Sequence, residues 1–237
     1  MDGLLDSFRP ENFFDVTGRP WARLFEGLKY VWEAVEELPG FIEDIIDPQI
    51  LGDVEQGAWI EPGSVSLGEG SSVERGAIIR GPTIIGRNST IRSGAYIRGH
   101  VLVGDDCLIG HGTEIRQTLI QNQSNVPHLN CIFTSLVGSR VNIGGATHTA
   151  NMLLNRKEIK IRVQFEGKEV SFSTGLSLLG VVIGDDTSVG GVSLFQPGTI
   201  VGKRCIIHPY STVSGYIPND SIVRPQSRSL EVLPRQV

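Results

Sequence analysis

Residues 67–115 read LGEGSS VERGAI IRGPTI IGRNST IRSGAY IRGHVL VGDDCL IGHGTE I when broken into sixes. Every segment opens on an aliphatic residue: Leu67, Val73, Ile79, Ile85, Ile91, Ile97, Val103, Ile109 and Ile115. Four residues after each of the first eight stands something compact: Ser71, Ala77, Thr83, Ser89, Ala95, Val101, Cys107 and Thr113. A period of six is neither the 3.6 of a helix nor a strand alternation that could continue without turning. It describes short strands separated by corners. Three hexads make one triangular coil, with aliphatic residues pointing inward and small residues beneath the corners. Gly relieves the turn dihedrals. Coils stacked in parallel about 4.8 Å apart bury a continuous apolar column.

Outward from this stretch the period resumes at Val137 and Ile143, then at Ile183, Val189, Phe195, Val201, Ile207 and Val213. Residues 119–136 fall out of register, which predicts that the chain loops out or shifts there. Residues 150–182 form a longer insertion. In it Ile159, Ile161, Val163 and Phe165 alternate before Glu166-Gly167-Lys168, and Val170 and Phe172 follow. That pattern predicts a β-hairpin, read as an arm projecting from the column. The first fifty residues differ in kind. Trp21, Leu24, Phe25, Leu28, Val31, Trp32, Val35 and Leu38 follow helical spacing, with Pro20 at the start and Pro39-Gly40 as the stop. The expected division is a helical segment 1–50, an all-β solenoid 51–225 with the insertion 150–182, and a tail 226–237.

Composition narrows the classes. With 21 Lys and Arg against 26 Asp and Glu, the net charge of −5 argues against a general binder of nucleic acid or anionic membrane. A 40% hydrophobic content fills a core and excludes disorder as the main state. No apolar run approaches the roughly 20 residues that span a bilayer. The first ten residues lack a basic region followed by an apolar stretch, so a soluble, cytoplasmic protein is expected. The three cysteines form neither a disulfide framework nor a zinc motif. Cys107 and Cys205 fall at small positions of hexads and are read as core residues.

Two features point to chemistry. His128 lies in the break of the register at 119–136. Arg98 and Arg116 are 18 residues apart, one full coil, and should stack on one edge at successive rungs. Two guanidinium groups one rung apart repel unless an anion lies between them, and a phosphate suits that geometry.

The hexads resemble the left-handed parallel β-helix of hexapeptide-repeat acyltransferases, and the hand is implied by that resemblance alone. A narrower likeness rests on Thr113-Glu114-Ile115-Arg116-Gln117-Thr118, Pro127-His128-Leu129, Val141-Asn142-Ile143-Gly144-Gly145-Ala146-Thr147, Ala150-Asn151 and Lys157. This ordered set resembles the acetyltransferase domain of the bifunctional N-acetylglucosamine-1-phosphate uridylyltransferase/glucosamine-1-phosphate acetyltransferase family. Lys157, Lys160, Ser173-Thr174-Gly175 and Ile183-Gly184-Asp185 resemble archaeal sugar-1-phosphate nucleotidylyltransferases that carry the same domain. The resemblance covers about residues 67–224. It implies His128 as general base, Arg98 and Arg116 on the sugar phosphate, and Asn142, Asn151 and Lys157 positioning the sugar. Cys131 stands where the family has a Tyr that contacts the sugar. The Gly145 N–H would face the thioester oxygen. Acetyl-CoA, as co-substrate, would lie in a groove between copies of a homotrimer, near Lys160, Gly191, Pro209 and Arg224. No nucleotidyltransferase domain is recognisable, which leaves a separate nucleotidyltransferase open as a partner.

The chemistry fits these residue types on its own terms. An amino sugar is substantially ammonium at neutral pH, so a base near neutrality must take a proton before the nitrogen attacks a thioester. Attack creates an oxyanion that a preorganised N–H stabilises, and a Gly-Gly corner permits close approach. No metal is expected for that step. The expected activity is acetyl-CoA-dependent N-acetylation of an amino-sugar phosphate such as glucosamine-1-phosphate. The alternative is a non-catalytic sugar-nucleotide-binding or scaffolding trimer, favoured by Cys131 and by the apolar run Leu176-Ser177-Leu178-Leu179. A zinc-dependent γ-carbonic anhydrase needs a His-x-x-x-x-His pair. The five histidines, at 100, 111, 128, 148 and 208, lie 11, 17, 20 and 60 residues apart and supply none.

Overall fold

A computed structural model describes residues 5–225; the tail 226–237 lies outside the described residues. From residue 49 onward the chain winds as a three-sided parallel β-solenoid. Face I is a sheet of nine stacked strands, from Asp53–Val54 through Leu108–His111, Asn125–His128 and Asn142–Ile143 to Ile222–Val223. Face II includes Tyr96–Arg98, His148–Thr149 and Leu194–Phe195; face III includes Val101–Val103, Val181–Ile183 and Thr199–Val201. Two seven-residue strands, Glu114–Ile120 and Cys131–Val137, run from face II across the corner into face III and join the two. All nine aliphatic residues that open the hexads are at most 1% exposed. Each such side chain contributes about 1.5–3 kcal/mol by leaving water.

The apparent break at 119–136 is not a loop. Ile91 pairs with Ile109, 18 residues on, but Ile109 pairs with Val126, only 17 on. Ile115 with Ile132 and Ile120 with Val137 keep the shorter step. One residue is missing where face II turns into face III, so inward positions there are five apart, and Ile120, Val126 and Ile132 continue the column fully buried. Gln117 and Thr134 make the shortened corner with φ of +44° and +50°. His128 therefore lies on a regular strand of face I.

The insertion does form a hairpin, Lys160–Phe165 against Lys168–Ser173. It does not project. Ile161 and Val163 are buried, and the Phe172 ring lies 5.6 Å from that of Phe8. A Cβ on Gly215, whose φ is +73°, would stand 2.6 Å from the Arg162 carbonyl oxygen, so the hairpin meets the solenoid backbone to backbone.

The N-terminal segment departs most from its expected form. Short 3₁₀ turns at Ala22–Phe25 and Val31–Glu33 occupy much of the predicted helix, and the longest α-helix among the described residues, α1, spans Ala34–Ile45. It runs through Pro39-Gly40 instead of stopping there. The apolar spacing was real but is satisfied by burial: Trp21, Leu24, Val31, Trp32, Val35 and Leu38 pack against Leu102, Leu119 and Leu136 on the outside of face III. Face III is thus closed by the N-terminal segment and the hairpin together. The Asp15 N–H donates to Asp185 Oδ2 at 2.7 Å, the Ser139 N–H donates to Oδ1 at 2.8 Å, and the Asp185 N–H donates to the Phe13 carbonyl at 3.0 Å.

Candidate functional site

Between faces I and II the chain turns a corner at each rung, and the sequence candidates gather there. His128 pairs in register with His111 on the rung below. On the rung above, a Cβ added to Gly145 would lie 2.5 Å from His128 Cδ2 and 3.0 Å from Nε2. The imidazole therefore rests against the Cα of Gly145 in space that only glycine leaves. The His128 ring is exposed and bonds to no other described residue, whereas His111 Nδ1 lies 2.7 Å from the Ser93 carbonyl oxygen. The Gly145 N–H donates to no acceptor among the described residues and is only partly covered. Asn142, exposed on face I, leads into the same corner.

Gly191 and Pro209 continue this line upward. The Val192 N–H donates to the Gly145 carbonyl at 2.8 Å and the Tyr210 N–H to the Gly191 carbonyl at 3.1 Å. Arg224, exposed, follows Val223 at the end of face I, where the same corner begins on the last described rung. Glycines at the left-handed position of the lower rungs, Gly76, Gly94 and Gly112, give way to Leu129, Ala146, Val192 and Tyr210, all with φ between +56° and +62°. Such a conformation is costly for β-branched and bulky residues. Leu129, Val192 and Tyr210 are nevertheless 57%, 52% and 74% exposed, which makes this corner an apolar ridge.

The remaining candidates lie across face II, at its corner with face III. Arg98 pairs with Arg80, and the register places Arg116 one rung above Arg98, as the 18-residue spacing predicts. Arg98 Nη1 is held by Glu114 Oε1 at 2.7 Å, a partner not among the candidate residues, while Arg116 has no charged partner among the described residues. Asn151 Nδ2 donates to Thr134 Oγ1 at 2.9 Å where the insertion leaves the solenoid. Lys157 is exposed, and Lys160 lines a cavity of about 570 Å³ with Arg162, Glu169 and Gln196. Lys160 is therefore not brought to Gly191 and Pro209 within one chain. Cys131 faces outward on face II between Glu114 and His148. Burial, and then Glu114, raise the Cys131 thiol above its usual range; burial pushes Cys107 up to about 11. Neither is poised as a thiolate nucleophile.

Two clusters thus flank face II. One offers an imidazole beside an unpaired N–H, a pairing suited to removing a proton and receiving a developing oxyanion. The other offers a guanidinium with no acidic partner among the described residues beside a paired one. No helix among the described residues is long and apolar enough to cross a membrane.

The sequence matches the GMPPB C-terminal domain family over residues 79–183 and the bacterial transferase hexapeptide family, six repeats, over residues 180–215. It is 30% identical over 183 residues to a bifunctional sugar-1-phosphate nucleotidylyltransferase/acetyltransferase of Sulfurisphaera tokodaii, covering 77% of this chain and 44% of that protein. It is 28% identical over 110 residues to the bifunctional protein GlmU of Methanocaldococcus jannaschii, covering 46% and 26%. Against GlmU of a Picosynechococcus strain it is 29% identical over 119 residues, covering 50% and 22%. The chain spans less than half the length of these curated relatives.

Proposed function

We propose that this chain, which belongs to the hexapeptide-repeat transferase family, is an acetyl-CoA-dependent N-acetyltransferase acting on an amino-sugar phosphate, with glucosamine-1-phosphate as the preferred acceptor. One observation carries the reading: the His128 imidazole rests against Gly145, whose N–H is unpaired among the described residues. The names of the relatives, a nucleotidylyltransferase/acetyltransferase and GlmU proteins, support the reaction class. The amine, neutral once its ammonium proton has passed to solvent, attacks the thioester carbonyl and forms the C–N bond while His128 takes the proton that the nitrogen sheds. The oxyanion points at the Gly145 N–H. Its collapse breaks the C–S bond, and the imidazolium returns the proton to the departing thiolate.

Arg116, with Arg98, takes the phosphate, and Asn142, Asn151 and Lys157 contact the sugar. Gly191, Pro209, Arg224 and Lys160 border the acetyl-CoA. From His128 to Phe133, the register partner of Arg116, is five residues, at most about 17 Å of extended chain. One chain therefore presents the two clusters on opposite edges of a face. A threefold homotrimer, in which the edge of one copy meets the opposite edge of the next, completes the site. The exposed ridge of Leu129, Val192 and Tyr210 supports burial of that corner against a neighbour. A cytoplasmic setting, with all three cysteines as free thiols, accords with this role.

Two measurements test the reading. His128→Ala should lower acetyl transfer to glucosamine-1-phosphate by about 10² to 10⁴ with the fold intact; turnover near wild type would remove His128 as the base. Light scattering should return three times the 25.8 kDa of the chain, and a monomer at micromolar concentration would exclude the shared site.

A further inference from the structure

The corner between faces I and II closes in three ways along the solenoid. In the lower rungs the backbone closes each turn on itself: Ala77 N–H to Glu74 O at 3.2 Å, Ala95 to Arg92 at 3.1 Å, Thr113 to Gly110 at 3.3 Å. In the upper rungs a hydroxyl does so, Ser193 Oγ to Gly190 O at 2.7 Å and Ser211 Oγ to His208 O at 2.6 Å. The two rungs between, which carry His128 and Gly145, form neither bond among the described residues. They are tied to each other instead. Asn130 Oδ1 accepts the Thr147 N–H at 2.8 Å, and the Asn130 N–H reaches Thr113 Oγ1 at 3.4 Å.

This arrangement has no rationale in packing alone. Asn130 and Thr147 are fully buried, yet Asn130 Nδ2 and Thr147 Oγ1 have no hydrogen-bond partner among the described residues, which leaves each desolvated without compensation. Ala77 and Ala95 fill the equivalent places below at no such cost. What the tie changes is the peptide between residues 144 and 145, whose two ends are the Gly144 carbonyl and the Gly145 N–H. In the lower rungs the corresponding carbonyl is fixed by its own turn bond. Here that bond is absent, and Asn130 holds the Thr147 N–H in its place. The peptide below, between 127 and 128, is freed likewise: the Pro127 carbonyl occupies the space over Gly110 that any side chain would fill.

We propose that Asn130 is a positioning residue, which aims the Gly145 N–H at the reacting carbonyl by holding Thr147 across the rungs. The role rests on the acyl-transfer reading and acts through Gly145, without touching substrate. The test compares Asn130→Ala, Asn130→Asp and Thr147→Ala by amide hydrogen exchange and by acetyl-transfer kinetics. Asn130→Ala should speed exchange of the Thr147 amide at least tenfold. It should lower kcat about 10- to 100-fold, the scale of losing a well-aimed oxyanion donor, with both KM values within about twofold. Asn130→Asp, which keeps an acceptor, should recover most of the protection and of kcat. Thr147→Ala keeps the backbone N–H and should change neither. Wild-type kcat in Asn130→Ala, or equal loss in Thr147→Ala, overturns the role while the acyl-transfer reading stands. No transfer by the wild type from acetyl-CoA to any amino-sugar phosphate overturns that reading and the role together, whatever the exchange shows.

Discussion

Gln117 Nε2 donates to the carbonyl oxygen of Val35 at 3.1 Å, and Val35 is the residue four before Pro39. Pro39 lies inside α1 and has no N–H to give that carbonyl. The helix survives its proline because a side chain from the solenoid supplies the missing donor, and the same bond docks α1 on the shortened corner. Gln117→Ala should therefore destabilise the protein by about 1–3 kcal/mol, the cost of an unpaired buried carbonyl. In a Pro39→Ala background the backbone N–H returns and the same change should cost less. Urea unfolding of the four proteins measures the coupling. Equal costs in both backgrounds would separate Gln117 from the Val35 carbonyl.

Asp185 gives a pH dependence of definite sign. Burial raises its carboxyl above 3.8, against the lowering effect of the Asp15 and Ser139 N–H groups. A carboxyl with a raised folded-state pKa binds its proton more tightly folded than unfolded. Its contribution is thus greatest below the unfolded value and falls as pH rises through the folded value. Compared with Asp185→Asn, wild type should lose stability as pH rises above the unfolded value of 3.8 and level off once the pH passes the raised folded value. A difference in unfolding free energy that grows over that interval would mean that the two N–H donors outweigh burial.

The hexad column was legible because one inward residue per face must be aliphatic wherever three strands close on each other. Of the loop or shift expected at 119–136 the structure holds the shift, and the sequence left the two open for a physical reason: Gln117 and Thr134 take left-handed φ without glycine, so a corner one residue short carries no compositional mark. Helical spacing in residues 21–38 reported one buried side of the segment, which 3₁₀ turns against face III satisfy as well as a helix would. His128, Gly145 and the arginine ladder were legible as residues. That they stand on opposite edges of face II was not, since a period gives rung spacing and leaves faces undistinguished. Nothing in the sequence marked Asn130 apart from its polarity at a position where Ala77 and Ala95 precede it.

The two arginines should differ. Arg98 is already paired with Glu114, whereas Arg116 has no acidic partner among the described residues. Arg116→Ala should weaken glucosamine-1-phosphate binding by about 1.5–3 kcal/mol, the range for hydrogen bonds to charged groups, and Arg98→Ala by less. Glu114→Gln should tighten binding, because it frees Arg98 and removes a like charge from the phosphate's neighbourhood. Calorimetric titration with the phosphorylated and the free sugar checks each. Equal losses for both sugars would take the phosphate away from this edge.

Gly145→Ala tests the catalytic corner most directly. The added methyl would stand 2.5 Å from His128 Cδ2, closer than real side chains approach, so the imidazole must swing away. Gly145 carries an ordinary backbone conformation with no positive φ, and its methyl would meet an exposed ring with room to move. Stability should therefore change by less than about 1 kcal/mol, as for surface substitutions free of strain. Turnover should fall about 10²-fold, because the base leaves its place beside the N–H that receives the oxyanion. Binding of the sugar phosphate, which depends on the opposite edge, should stay within about twofold of wild type. Steady-state kinetics, calorimetry and thermal unfolding on the one variant separate these effects. A variant that unfolds early, or that loses sugar binding along with turnover, would mean that Gly145 serves the fold or the substrate and not the alignment of His128.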